Sequence, residues 1–180
     1  MRWGSRLAAV GLVAAALVAC APPAHRLPPT VLGVGDSVIL GGTSALQAAI
    51  PGMAVDAVVS RQYSTLPTVV AAHAQAGTLP ATIVIHLGTN GTIVPATCDG
   101  VMHLLGKRRV VMVTLTVPRT WQDTNNVTIR ACAARNHAGL ADWHALSAGH
   151  PELLAPDGYH LRPAGAHAYA ALIAAAVKAL

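Results

Sequence analysis

The chain has 180 residues, of which 53% are hydrophobic, 11% charged and 3% aromatic, with no phenylalanine. That length and apolar content suit one domain with a real core built from Ala, Val, Leu and Ile, and exclude a disordered chain. The formal net charge is +5 with no basic run longer than Lys107-Arg108-Arg109, which leaves no basis for a nucleic-acid partner.

Residues 1–19 read as a targeting segment. Arg2 and Arg6 precede an apolar stretch, Leu7–Ala19, of signal-peptide length and too short to span a bilayer comfortably. The ending Leu17-Val18-Ala19-Cys20 resembles a bacterial lipobox. That resemblance implies cleavage before Cys20 and lipid on its thiol and new amino group. The protein would then be extracytoplasmic and anchored to the membrane; a simple secretory signal and an uncleaved anchor are the alternatives. Cleavage would leave ten basic residues against seven acidic ones. Residues 20–29 carry four prolines and predict an extended tether reaching roughly 30 Å. The folded domain is expected over 30–180.

From there apolar β-rich runs alternate with helical patterns. Strands are predicted at Thr30–Val34, Ala54–Val59, Thr82–Leu87, Arg109–Leu115 and Gly139–Trp143. Helices are predicted at Thr43–Ile50, Leu66–Ala76, Pro95–Leu105, Asp123–His137 and Pro163–Leu180, with the chain already turning helical after Ser37. Gly41-Gly42 weakens that first turn. Runs such as Thr82–Leu87 are apolar on both faces, as strands covered by helices on each side are. The pattern predicts a doubly wound, three-layer α/β/α sandwich around a five-stranded parallel sheet.

Ligands in such sheets bind beyond the carboxyl ends of the strands. Four polar segments fall there: Gly35-Asp36-Ser37, Ser60-Arg61-Gln62, Gly88-Thr89-Asn90-Gly91, and Pro156–Leu161 before the last helix. A serine needs a base to take its proton, and that base needs a partner to fix its tautomer. Ser37 is the candidate nucleophile, His160 the base and Asp157 its orienting carboxylate. The side-chain amide of Asn90, with the backbone N–H groups of Ser37 and Ser60, would form an oxyanion hole. Each segment alone also reads as an ordinary turn; their order along the chain favours catalysis.

In this set the sequence resembles the SGNH hydrolases, also called GDSL esterases. Their first motif corresponds to Gly35-Asp36-Ser37-Val38, their third to Gly88-Thr89-Asn90-Gly91 and their last to Asp157–Leu161. The closer likeness is to the extracytoplasmic SGNH domain of peptidoglycan O-acetyltransferases. It rests on Val55-Asp56-Ala57 with Ser60-Arg61-Gln62, on Val117-Pro118-Arg119 with Trp121, and on Asp142-Trp143, and covers about Val31 to the C-terminus. The resemblance implies the flavodoxin-like fold and the roles given above to Ser37, His160, Asp157 and Asn90. Two departures stand out. The family's second motif usually supplies a glycine where this chain has Ser60, and a positive φ there would strain serine. Those O-acetyltransferases also usually carry a multi-span membrane domain that delivers acetyl groups, so a separate membrane donor protein is the expectation here.

Arg61, Gln62 and Arg119 flank the site and could hold a sugar or carboxylate. Nine histidines lack both HExxH and zinc-finger spacing, so neither metal nor cofactor is expected; His86 reads as a core histidine. Trp121 and Tyr63 could stack on a sugar ring, with packing as the other reading. Cys98 and Cys132 fall on helices that successive crossovers would place side by side, which predicts a disulfide. The function expected is a serine esterase or O-acyltransferase acting on acetyl esters of cell-envelope glycan. The alternatives are a lipid or thioester hydrolase and a catalytically silent glycan-binding or assembly lipoprotein.

Overall fold

The structure is a computed structural model that describes Met1 and residues 29–180. The predicted signal segment 1–19, the Cys20 lipidation site and the tether up to residue 28 lie outside the described residues.

Five parallel strands form one sheet in the order β2-β1-β3-β4-β5: β1 (Val31–Gly35), β2 (Met53–Ala57), β3 (Thr82–His86), β4 (Arg109–Val113) and β5 (Gly139–Ala141). Between them run α1 (Ser37–Gly41), α2 (Thr43–Ala49), α3 (Leu66–Gln75), α4 (Pro95–Leu105) and α5 (Gln122–Arg135), followed by α6 (Trp143–Ser147) and α7 (Pro163–Lys178). The order reverses at β1, so the next strands are added on opposite sides of it. In sheets of this kind ligands bind at that switch point, beyond the carboxyl ends of β1 and β3.

Alternation along the strands divides the core in two. Leu32, Val34, Ile83, Ile85 and Met112 pack with Leu66 and Val70 of α3, with Val101 and Leu105 of α4, and with Ile129 of α5. On the other face Val31, Val84, Val111 and Val113 meet Ile39, Leu46, Trp143, Tyr169 and Ile173 from α1, α2, α6 and α7. Each fully buried aliphatic side chain contributes roughly 1.5–3 kcal/mol. Short residues of β1 set the height of α1. A Cβ at Gly35 would lie 2.1 Å from Ile39 Cγ2 and 2.7 Å from the His86 carbonyl, so only glycine lets α1 settle against the sheet with Ser37 at its start.

Three strands end two residues short of the predicted position, each for a local reason. The predicted Ala54–Val59 strand ends at Ala57, leaving Val58 and Val59 exposed in the turn beyond. The predicted Arg109–Leu115 strand ends at Val113. There Asn126 of α5 takes the place of a neighbouring strand, its side-chain amide bonding the Leu115 N–H and C=O at 2.7 and 2.9 Å. The predicted Gly139–Trp143 strand stops at Ala141 because Asp142 caps α6, its Oδ1 accepting from the Ala145 N–H, and Trp143 becomes the first residue of that helix. After Ser37 the helix breaks at Gly42, where a Cβ would meet Leu161 and Tyr169 at 3.3 Å.

Cys98 of α4 and Cys132 of α5 are joined as a disulfide, with Cα atoms 6.4 Å apart across a sequence separation of 34. On the chain-entropy model, opening a loop of that length is expected to cost about 3–4 kcal/mol. Guanidinium unfolding of the Cys98→Ser/Cys132→Ser protein should show a correspondingly lower midpoint; an unchanged midpoint would make the crosslink energetically idle.

Candidate active site

Ser37 is the first residue of α1, directly after the buried Asp36. Asp36 caps the helix through Oδ1, which accepts from the Val38 N–H at 3.0 Å. A cap bonded two residues ahead fixes the helix start, and with it the Ser37 side chain at the edge of the sheet.

His160 and Asp157 arrive from the far end of the chain on a tight turn. Leu154 and Leu161 pair across its base, the Ala155 N–H donates to the His160 carbonyl at 2.7 Å, and Gly158 takes φ 81° at the tip. Asp157 Oδ1 accepts from the N–H groups of Tyr159 and His160, both at 3.1 Å. That leaves Oδ2 for the His160 Nδ1–H at 2.8 Å. His160 Nε2 lies 2.9 Å from Ser37 Oγ. With Nδ1 donating to the carboxylate, Nε2 is the free acceptor for the serine proton. Partial burial pushes the Asp157 carboxyl up, and donation from the His160 ring and the two backbone N–H groups outweighs it, holding it below the ordinary aspartate value. The Asp157 and His160 side chains are still 40% and 38% exposed, so this hydrogen-bonded run sits on an open shelf.

Asn90 follows β3. Its Nδ2 donates to Asp36 Oδ2 at 3.3 Å and to the Arg61 carbonyl at 3.4 Å, both long contacts of the kind that a bound substrate can displace. Its loop is fixed by Asn125, a buried α5 residue that the sequence reading passed over. Asn125 Oδ1 accepts from the Ile93 N–H at 2.8 Å, and Nδ2 donates to the Gly88 and Gly91 carbonyls at 3.0 and 2.8 Å. The available signal was an Asn125-Asn126 pair on the buried face of a helix.

Ser60 has φ 63°, the left-handed conformation that explains a glycine preference at this position and costs an L-residue about 1–2 kcal/mol. Arg61, expected to flank the substrate, turns its guanidinium back on Asp56, donating to the main-chain carbonyl and to Oδ1, each at 2.7 Å. The Gln62 amide donates weakly to the Ser60 carbonyl and crowds Gly91. Arg119 is exposed, and its guanidinium donates to the Pro118 carbonyl at 3.4 Å. Pro118 in turn packs against Gly158, which brings Arg119 beside the Asp157–His160 turn. His86 is buried in β3, its Nδ1 hydrogen-bonded to the Tyr169 hydroxyl. Burial pushes its pKa down, and it takes no part in the site.

No family model matches the chain. It is similar to the peptidoglycan O-acetyltransferase OatA of Listeria monocytogenes, 32% identical over 153 residues that make up 85% of this chain and 24% of the relative. The chain thus spans about a quarter of that curated relative's length. Among solved structures it is similar to the C-terminal catalytic domain of Streptococcus pneumoniae peptidoglycan O-acetyltransferase A, determined with a methylsulfonyl adduct. That match has TM-score 0.69 and 29% identity over 84% of this chain and 93% of the other. A carbohydrate esterase family 3 protein of Talaromyces cellulolyticus, TM-score 0.59 and 16% identity over 84% and 97% of the two chains, shares the fold.

Proposed function

The chain belongs to the SGNH hydrolase family, and on that premise we propose that it is a serine esterase or O-acyltransferase acting on acetyl esters of cell-envelope glycan. The observation that carries this reading is the unbroken run from Asp157 Oδ2 through His160 to Ser37 Oγ, at 2.8 and 2.9 Å. Ser37 Oγ attacks the ester carbonyl while His160 Nε2 takes its proton. The Ser37 and Ser60 N–H groups and the Asn90 amide receive the oxyanion; as the first helical residue, Ser37 has no intrahelical partner for its N–H. Collapse expels the alcohol with the proton from His160, leaving acetyl on Ser37. Water or a sugar hydroxyl, deprotonated by His160, then attacks the acyl-enzyme and restores the serine.

The open shelf suits a polymeric glycan, whereas a long acyl chain needs an enclosed apolar slot. Similarity to a peptidoglycan O-acetyltransferase supports the same substrate class, and Arg119 and Gln62 are proposed to contact the glycan. Lipid attachment at Cys20, proposed from Leu17-Val18-Ala19-Cys20, would hold the enzyme at the outer face of the membrane.

Incubating the full chain with an aryl acetate and a peptidoglycan-type oligosaccharide separates the two activities. Acetylated oligosaccharide above the uncatalysed level is the expected product; free acetate alone would assign an esterase. Absence of both products would overturn the enzymatic reading in favour of a silent glycan-binding lipoprotein.

A further inference from the structure

Ser60 and His137 are the two non-glycine residues with positive φ among those described, at 63° and 53°. His137 follows the end of α5, where a left-handed residue commonly closes a helix. Ser60 closes no helix. It stands alone between β2 and the turn at Tyr63–Thr65, in a conformation that L side chains disfavour, and something must hold it there.

The restraint on the page is Arg61. Its N–H donates to the Val58 carbonyl at 3.2 Å, closing the turn around Ser60. Its side chain folds back on the strand just left: Nη1 donates to the Asp56 carbonyl and Nη2 to Asp56 Oδ1, each at 2.7 Å. A planar guanidinium that grips a carbonyl and a carboxylate together fixes direction as well as distance, which a lysine ammonium does not. Asp56 is held from its other side, Oδ2 lying 3.0 Å from His73 Nε2, whose Nδ1 meets Thr78 Oγ at 2.8 Å. The Arg61 and Asp56 side chains are 11% and 31% exposed, so the pair is partly shielded from water. Beyond the clamp, the Arg61 carbonyl accepts from Asn90 Nδ2. One residue thus adjoins the Ser60 peptide and touches the Asn90 amide.

We propose that Arg61 is a positioning residue: its grip on Asp56 holds Ser60 left-handed with its N–H turned into the site, and sets the carbonyl on which the Asn90 amide rests until substrate displaces it. The inference rests on reading Ser60 and Asn90 as oxyanion donors. Deleting one such donor outright costs about a hundredfold to a thousandfold, and misplacing it costs less. Arg61→Ala in the full chain should therefore lower kcat on a small acetyl ester about tenfold to a hundredfold with KM nearly unchanged. Arg61→Lys should recover little of it. Ser60→Gly/Arg61→Ala should recover most of it, because glycine adopts the left-handed backbone without restraint.

Three kinetic outcomes would overturn the proposal: kcat close to the parent's, a loss confined to KM, or a loss undiminished in the Ser60→Gly background. Should Arg61→Ala fail to fold, Asp56→Asn weakens the same clamp and carries the same expectation. A parent without esterase activity would defeat the functional reading while leaving the clamp decidable by crystallography. Ser60 should leave the left-handed region in the Arg61→Ala structure; Ser60 unchanged there would overturn the proposal.

Discussion

Ser37→Ala is expected to lower turnover of a small acetyl ester by on the order of a millionfold, the scale seen when a triad serine is removed. The substitution deletes the one oxygen that His160 Nε2 faces at 2.9 Å. The proposed oxyanion donors survive, so a residual rate above the uncatalysed one should remain. Folding should be nearly unaffected. Ser37 lies at the open sheet edge, and the helix start depends on the Asp36 side chain and the Val38 N–H, neither of which changes. Steady-state kinetics with thermal unfolding alongside would show this, and parental turnover by Ser37→Ala would disprove its role as nucleophile.

Asp157→Asn should lower kcat by about a thousandfold, through the wrong tautomer of His160. Asp157 Oδ1 accepts from the N–H groups of Tyr159 and His160, so the amide oxygen of asparagine would keep that place and turn its NH₂ toward His160 Nδ1. Nδ1 would then have to accept, Nε2 would carry the proton, and the ring would offer Ser37 a donor where it needs an acceptor. A buried triad aspartate costs about ten-thousandfold on the same change. Asp157 is 40% exposed, so water can partly stand in and the loss should fall short of that. KM should hardly move. A variant within tenfold of the parent would show that the turn, rather than the carboxylate, fixes the imidazole.

Much of this site was legible because its parts follow from local rules. Apolar runs such as Thr82–Leu87 mark covered strands, and polar segments at their carboxyl ends then converge on one edge. Asp157 and His160 sit three apart, so a single turn brings them together. What stayed hidden depends on long-range side-chain contacts. Arg61 reads as a free cation beside the site until its carboxylate partner appears five residues back on β2. Asn125 and Asn126 fall inside the predicted Asp123–His137 helix, yet they bind the loops after β3 and β4 by replacing backbone partners. The ends of β4 and β5 were misplaced for the same reason: Asn126 and Asp142 draw the chain from the sheet, and apolar periodicity carries no trace of that. The strain at Ser60 was foreseeable only as a conditional, since no pattern in the residues reports φ.

The most direct test is to catch the acyl-enzyme. The full chain, mixed with an aryl acetate and quenched in acid during the first turnovers, should gain one acetyl group by intact mass, and peptide mapping should place it on Ser37. Asp157→Asn should accumulate it more slowly and Ser37→Ala not at all. Release of acetate with Ser37 never modified, or acetyl found on another side chain in the pre-steady state, would contradict nucleophilic catalysis by Ser37.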